Sequence, residues 1–306
     1  MIPVVCGIAD ESGYSRSRLL MPLVFAAALG GNLSIIGAPG NLMGVNALQE
    51  MGLSTSFFMY APVGIPMLLL GILYFVLIGY KFLPDGKNAS GAALEDQQDF
   101  SHLPKWKQNV SLVVLILVIL AMIFEKEIGI SIEVSACIGA ILLVLTGVIS
   151  EKDALKSIDL KVVFLFGGSL TLAKALDTTG AGELIADKIV GLLGADPSPI
   201  LLLLVIFVVT CVLTNFMSNT ATTALMIPIA VSLANNLGAD PRAVVIATVI
   251  AGSCAYATPI GMPANTMVVG LGGYKFKDYV KSGLPLILVS FVICMILLPI
   301  LFPFYP

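Results

Sequence analysis

The sequence predicts an all-α membrane protein of many spans, built from inverted repeats that contain a re-entrant helical hairpin and broken transmembrane helices. Hydrophobic residues make up 58% of the 306 residues and charged residues 11%, and the mean hydropathy is +1.01. That is more apolar surface than a water-soluble domain could bury. Long uncharged runs are also interrupted by small polar residues or by glycine and proline, and two sequence patterns recur about 225 positions apart.

Segments without charged residues indicate where the membrane helices are expected. They are residues 19–49, 51–80, 108–124, 134–150, 197–239, 243–274 and 282–306. A transmembrane helix needs only about 20 residues. The segment 197–239 is too long for one helix, and its centre carries Ser218, Asn219 and Thr220. A re-entrant hairpin over 198–236, with two half-length helices meeting at this polar tip, fits it better than a continuous span.

Two other long segments carry a different interruption. These are GGNLSIIGAPGN at 30–41 and ATPIGMPAN at 257–265. Glycine and proline weaken or end a helix, and such breaks occur at membrane depth only where they are buried in protein or line a cavity. We therefore expect two broken helices, of which the second covers 243–271.

An internal repeat connects these features. MIPVVCGIADESG (1–13) is similar to MIPIAVSLANNLG (226–238), and IIGAPGN (35–41) is similar to PIGMPAN (259–265). The second unit has a full hairpin before its MIP motif, whereas the first begins inside the corresponding hairpin. We expect the N-terminal part of the first repeat to be missing from this chain.

The repeat divides the chain into three parts. Residues 1–83 form the C-terminal part of the first repeat: a hairpin end, a broken helix and one further helix. Residues 84–108 form a polar cytoplasmic linker. Residues 109–306 form the second repeat, with two scaffold helices (109–125 and 132–150), a helix at 162–176, the hairpin 198–236, the broken helix 243–271 and a last helix at 282–302.

The basic residues give the orientation. If the loop before the first broken helix is cytoplasmic, tracing the spans places most basic residues inside, as membrane proteins prefer. The inner residues are Arg16, Arg18, Lys81, Lys87, Lys105, Lys107, Lys152, Lys156, Lys161, Lys275, Lys277 and Lys281; the outer ones are Lys126, Lys174, Lys188 and Arg242. On this path the C-terminus lies outside, and the two hairpins enter from opposite sides, so the repeats are inverted.

The polar tip predicts ion chemistry. The second half of the hairpin begins with free N–H groups, which attract anions. The first half ends in free carbonyls, which with the oxygens of Thr214, Ser218 and Asn219 suit a hard cation such as Na+. The alternative is structural: Ser218 is an ordinary helix N-cap, and Asn41 and Asn265 only tie loose backbone groups at the helix breaks.

Several function classes are disfavoured. The chain has no P-loop motif for nucleotide hydrolysis, no paired carboxylates inside a span and no charge signal for nucleic acid. The five cysteines lack metal-ligand spacing. We expect no enzyme activity, no cofactor and no metal other than Na+ as coupling ion.

The SNTAT segment followed by MIP, the later P-x-N break, LFGGSL (165–170) and GGNLSIIGAPGN resemble the divalent-anion/sodium symporter family, which carries dicarboxylates, citrate or sulfate. The resemblance implies a homodimer in the lipid bilayer whose transport domain moves like an elevator against a scaffold. It implies that sodium is held by Thr214, Ser218, Asn219, Gly261 and, at a first site, Gly37. It implies that the anion contacts Ser218, Asn219, Thr220, Gly37, Ala38, Met262 and Pro263.

The sequence departs from the family pattern at two of these positions. Ala38 and Met262 stand where dicarboxylate carriers commonly have Ser or Thr. We expect a secondary active transporter that couples Na+ to a small di- or trivalent anion. The alternatives are a cation/proton antiporter of the same superfamily and a membrane receptor or subunit that binds a ligand without transporting it.

Overall fold

A computed structural model of the chain describes residues 1–84, 104–158, 160–181, 184, 188 and 198–305. Helices and irregular segments make up these residues, and they contain no β-strand. The helical class expected from the sequence is therefore confirmed. Contacts divide the chain into a larger unit, Met1–Leu94 with Phe164–Pro306, and a smaller unit, Glu95–Val163.

The first part of the larger unit contains four helices. They are α1 (Ile2–Ser12), α2 (Arg16–Gly30), α3 (Pro39–Glu50) and α4 (Ala61–Leu77), with 3-10 turns at Gly31–Leu33 and Gly79–Phe82. The interruption between α2 and α3 lies where the sequence predicts the first break. Pro39 begins α3, and its fixed φ and missing N–H suit the first turn of a helix.

The smaller unit pairs two apolar helices. Its helices are α5 (Lys105–Ile123), α6 (Glu125–Ile128), α7 (Ile132–Leu145) and α8 (Glu151–Lys156). The two longer ones, α5 and α7, pack together. Ser131 caps α7 by accepting a hydrogen bond from the N–H of Val134, and Ser150 caps α8 by accepting one from Asp153.

The rest of the chain supplies the second hairpin and the second broken helix. Its helices are α9 (Leu160–Thr179), α10 (Pro199–Thr214), α11 (Asn219–Asn236), α12 (Arg242–Ser253), α13 (Pro263–Gly272) and α14 (Phe276–Leu301). Four residues separate α10 from α11, and nine separate α12 from α13. Of the linker expected at 84–108, residues 85–103 lie outside the described residues.

Two helices begin at least one full turn earlier than the sequence predicts. Helix α5 starts at Lys105 rather than 109, so the last residues assigned to the linker are helical. Helix α14 starts at Phe276 rather than 282, and Asp278 caps it by accepting a hydrogen bond from the N–H of Lys275 (2.8 Å). Both starts carry lysines, which we placed outside the helix, yet a lysine stem can lie along an apolar helix with its amine in water.

Two described helices, Lys105–Ile123 and Phe276–Leu301, are long and apolar enough to cross a membrane, and four further apolar helices are shorter. Many large apolar side chains on these helices are exposed, among them Val76, Leu117 and Leu288. Such a surface is costly in water and favourable in hydrocarbon.

Packing in the larger unit joins the two halves of the sequence. Helix α2 contacts α4 and α13, α4 contacts α14, and α3 contacts both α11 and α12. The hydroxyl of Tyr274, which follows α13, donates to Ser17 O (2.5 Å) and accepts from the N–H of Met21 (2.8 Å). The hydroxyl thus bridges a carbonyl and an N–H that lie one turn apart in α2. It fixes the end of the second broken helix to the start of the first.

Candidate functional site

The tip of the hairpin is a four-residue turn, 215–218, between α10 and α11. Ser218 has an extended backbone (φ −66°, ψ 144°), and its hydroxyl accepts a hydrogen bond from the N–H of Ala221 (3.3 Å). Ser218 is therefore an N-cap, as the structural alternative predicts. Its exposed side chain still lies beside the half-buried Asn219 and Thr220 at the start of α11.

A cluster of oxygen atoms surrounds the amide of Asn219. One polar atom of this amide lies 2.8 Å from Thr214 Oγ1 and 3.2 Å from the carbonyl oxygens of both Gly252 and Gly261. Thr214 Oγ1 donates its one proton to Gly252 O (2.5 Å). An amide nitrogen at this point has two protons to donate among these three oxygens, and this orientation satisfies the cluster.

The same cluster has the composition of a cation site. Turning the Asn219 amide by half a revolution replaces its nitrogen with Oδ1. Four oxygens, from Thr214, Asn219, Gly252 and Gly261, then face one another, and a cation between them would turn their mutual repulsion into attraction. All four are uncharged, and none titrates in the physiological pH range.

The hairpin tip is fastened to the second break by another asparagine. Asn215 donates from Nδ2 to Cys211 O (2.8 Å) and Cys254 O (3.2 Å), and its Oδ1 accepts from the N–H of Ala257 (3.0 Å). Thr258 Oγ1 donates to Asn215 O (2.6 Å) and accepts from the N–H of Gly261 (3.0 Å). These bonds fix the distance between the turn and the carbonyl of Gly261.

An asparagine closes the second break itself. Asn265 Nδ2 donates to Ala255 O and Thr258 O, each at 2.8 Å. The Tyr279 hydroxyl donates to Asn265 O (2.8 Å), and α14 comes so close to the break that a methyl group on Gly283 would overlap Tyr256 O. The side chain of Asn265 thus satisfies carbonyls that the interrupted helix leaves free.

The first break has the same set of contacts. Asn41 Nδ2 donates to Gly31 O (2.8 Å) and Ser34 O (2.7 Å), and the Tyr60 hydroxyl donates to Asn41 O (2.7 Å). A methyl group on Gly64 would overlap Asn32 O. Each break residue lies 224 positions before its counterpart at the second break, and Tyr60 and Gly64 lie 219 positions before theirs. The contacts therefore recur in chain order.

Helix starts from both halves of the sequence meet near the tip. Gly40, in the first turn of α3, approaches Thr223, which lies one turn into α11, so closely that a methyl group on Gly40 would lie 3.0 Å from the Thr223 hydroxyl. Thr223 Oγ1 donates to Asn219 O (2.8 Å). The predicted anion-binding residues at these two starts, Ala38 and Ser218 among them, therefore lie on neighbouring helices.

The other predicted site residues have no direct hydrogen bond to the hairpin tip among the contacts described. Met262 is the buried N-cap of α13 and Pro263 its exposed first residue, beside Gly261 of the oxygen cluster. Gly37 is exposed and packs against Gly31 within its own break, where its N–H donates to Ser34 O (3.2 Å). Its role in a first sodium site stays a prediction.

A family model described as "Citrate transporter" (CitMHS) matches residues 1–247 and, in a second match, residues 119–305. The chain belongs to the citrate transporter family. This confirms the resemblance to carriers of divalent anions, and membership of a transporter family implies a multi-pass membrane protein.

Curated relatives agree with the family. An uncharacterized transporter of Methanocaldococcus jannaschii is 30% identical over 295 residues, which cover 95% of this chain and 66% of the relative. The sodium-dependent dicarboxylate transporter SdcS of Staphylococcus aureus is 28% identical over 309 residues, which cover 94% and 59%. An uncharacterized transporter of Escherichia coli is 37% identical over 171 residues, which cover 56% and 28%. The chain thus spans about two thirds or less of the length of these relatives.

Sequence reasoning missed three contributors to the site of this citrate transporter family member. Gly252 acts through its backbone carbonyl, which any residue possesses, so residue type gives no signal. Thr223 lies one turn after Asn219, and this spacing could have indicated that it supports the first turn of α11. Asn215 stands beside Thr214 within the uncharged segment 197–239, and a polar amide in so apolar a run was a usable signal.

Proposed function

We propose that this chain is part of a secondary active transporter that couples Na+ to the movement of a small di- or trivalent anion of the dicarboxylate, citrate or sulfate class. The observation that carries the proposal is the cluster of Thr214, Asn219, Gly252 and Gly261 oxygens at the hairpin tip. Neutral, hard oxygen ligands suit Na+. The relative SdcS is named a sodium-dependent dicarboxylate transporter.

Binding of Na+ follows from the two orientations of the Asn219 amide. Without the ion, the nitrogen donates to the surrounding oxygens and holds the tip closed. With the ion, Oδ1 joins Thr214 Oγ1 and the two glycine carbonyls as a ligand, and Ser218 at the exposed side completes the shell. No cofactor is needed beyond this coupling ion.

The anion binds next to the ion, at the helix starts. A helix leaves its first N–H groups without an internal partner, and these groups attract negative charge. The starts of α11 (Ser218, Asn219 and Thr220), of α3 (Gly37 and Ala38) and of α13 (Met262 and Pro263) supply such groups. A bound Na+ adds positive charge beside them, so each ligand strengthens the binding of the other.

The recurring contacts at the two breaks support an organisation in repeats. Positive φ adds a further match: Gly13 after α1 (φ 73°) and Gly238 after α11 (φ 61°) lie 225 positions apart. We infer that the repeats are inverted, that Gly37 serves the first sodium site, and that the hairpin and broken helices move together as an elevator in a homodimer. In transporters built from inverted repeats, alternating access comes from rigid-body movement of one part against another, and in an elevator the binding site travels with the moving part.

Uptake into proteoliposomes tests the proposal. In the complete protein, Asn219→Ala should abolish uptake of radiolabelled citrate, succinate or sulfate driven by a Na+ gradient, since it removes one cation ligand and the donor that closes the tip. Asn235→Ala is the matched control, because Asn235 is exposed at the other end of the same helix. Full Na+-driven uptake by Asn219→Ala would refute the site.

Two further measurements separate the alternatives. Because the cluster contains no titrating group, Na+ affinity should stay constant between pH 6 and about 9. Proton flux at fixed Na+ would instead indicate a cation/proton antiporter. Saturable anion binding without counterflow would indicate a receptor or subunit that does not transport.

A further inference from the structure

An apolar groove lies next to the hairpin tip, between α10 and α14. Its volume is about 570 Å³, a size typical of sites for small organic ligands. Its walls are large apolar side chains, among them Phe207, Val212 and Phe216 from α10 and Leu284, Leu288 and Phe291 from α14. Two of these walls touch where the rings of Phe207 and Phe291 meet edge to face, with centroids 5.5 Å apart.

The surroundings of the groove decide what fills it. Phe216 and Leu288 on its walls are 68% and 60% exposed, so the groove opens to the outside of the larger unit. The described part of the chain leaves this opening uncovered, and an uncovered apolar surface of a membrane transporter faces lipid. Water gains too few hydrogen bonds in so apolar a space to fill it, whereas an acyl chain fits its shape and chemistry.

Charge at one end of the groove selects the lipid. Lys277 precedes Leu284 by seven residues and Leu288 by eleven, so helix periodicity places all three on one face of α14. Lys281 follows Lys277 by one turn, and both lysines are exposed. The neighbouring carboxylate of Asp278 is buried and accepts from the N–H of Lys275 instead (2.8 Å).

We propose that this groove binds one acyl chain of an anionic phospholipid, whose headgroup pairs with Lys277 and Lys281. Basic residues at a membrane surface attract anionic lipids by about 1 kcal/mol each. The proposal is independent of the transported anion and of the coupling ion.

The bound acyl chain would stabilise the position of the hairpin tip. Asn215 and Thr258 also line the groove, and they are residues that fasten the turn to the second break. A chain packed against them restricts their separation, as a side chain of the protein would. The anionic lipid is thus a positioning element for the tip rather than a substrate.

Fluorescence quenching by brominated lipids tests the proposal. The native Trp106 is changed to Phe, and one tryptophan is introduced in the groove by Phe216→Trp. Val76→Trp is the matched control, because Val76 is 64% exposed on α4 and lies outside the groove. Each protein is placed in two series of nanodiscs made of phosphatidylcholine and phosphatidylglycerol. In the first series the fraction of brominated phosphatidylglycerol rises. In the second series the fraction of brominated phosphatidylcholine rises instead.

The groove tryptophan should be quenched at a lower fraction of brominated phosphatidylglycerol than of brominated phosphatidylcholine, by about fivefold for each lysine engaged. The control tryptophan should follow the bulk lipid composition. Lys277→Gln with Lys281→Gln should remove the preference, whereas Lys152→Gln with Lys156→Gln, an equal loss of charge on α8, should preserve it.

Two results would overturn the proposal. Equal quenching by both lipids shows that the headgroup is not recognised. Absence of quenching in the groove, with normal quenching at the control position, shows that protein covers it. Should Phe216→Trp not fold, Leu288→Trp places the reporter on the opposite wall.

Discussion

At the scale of single residues, the close packing of α11 on α12 requires a glycine at position 252, which has no side chain. A methyl group there would overlap the hydroxyl of Thr223, which itself donates to Asn219 O. Gly252→Ala should therefore displace α11 from α12, destabilise the protein by about 1–3 kcal/mol and abolish Na+-driven uptake. Thermal unfolding in detergent and uptake into proteoliposomes measure the two effects.

Gly270→Ala is the control for this substitution. Gly270 is also helical, but a methyl group there has no neighbour within 4 Å. Alanine favours helix over glycine by up to about 1 kcal/mol, so Gly270→Ala should leave stability unchanged or raise it. Normal uptake by Gly252→Ala would show that the contact with Thr223 does not position the tip.

The sequence indicated the polar side chains of this candidate site but not all of the backbone carbonyls. Thr214, Ser218 and Asn219 stand out because polar side chains are costly in an apolar span. The carbonyl of Gly252 has no such signature, and its place beside Asn219 follows from the packing of α10 and α11 on α12. Only the tertiary structure could supply that neighbour.

At the scale of elements, each broken helix depends on one asparagine amide. Asn41 and Asn265 each donate to two carbonyls of their own break. Loss of a buried partner leaves those carbonyls unsatisfied, at about 1–3 kcal/mol. Asn41→Ala and Asn265→Ala should therefore each lower the midpoint of thermal unfolding by several degrees.

The comparison with Asn46→Ala makes this test specific. Asn46 lies on α3 as Asn41 does, but it is only half-buried and away from the break. Asn46→Ala should therefore lower the midpoint of thermal unfolding by less than either substitution at the breaks. If all three substitutions lowered the midpoint equally, the amides would contribute to general packing rather than to the breaks.

Break positions were predictable because glycine and proline mark them, while helix ends were not. Rules based on charge placed the start of α14 after Lys281, although capping by Asp278 extends the helix to Phe276. Helix α7 ends at Leu145 rather than 150, because Gly147 adopts a left-handed conformation (φ 70°). Such ends depend on local hydrogen bonds that hydropathy does not report.

At the scale of the whole molecule, the question is how the two proposed repeats are oriented in the membrane. Two sequence similarities, 224 and 225 positions apart, predicted the repeat, and the contacts of Asn41 and Asn265 recur at the same spacing. Contacts within a break are the same whether the repeats are parallel or inverted. Orientation therefore rests on the distribution of basic residues, and it needs a measurement across a bilayer.

Cysteine labelling in cells provides that measurement. Glu11 and Asn235 are exposed and lie near the ends of the two helices that contain the MIP motifs. With Cys137, the exposed native cysteine among those described, replaced by Ser, Asn235→Cys should react with a membrane-impermeant maleimide in intact cells. Glu11→Cys should react only after permeabilisation, because inverted repeats place equivalent helix ends on opposite sides. Lys156→Cys, expected on the cytoplasmic side, controls for leaky cells. Reaction of both helix ends from the same side would make the repeats parallel, and the two ion sites could then not be related by a two-fold axis in the membrane plane.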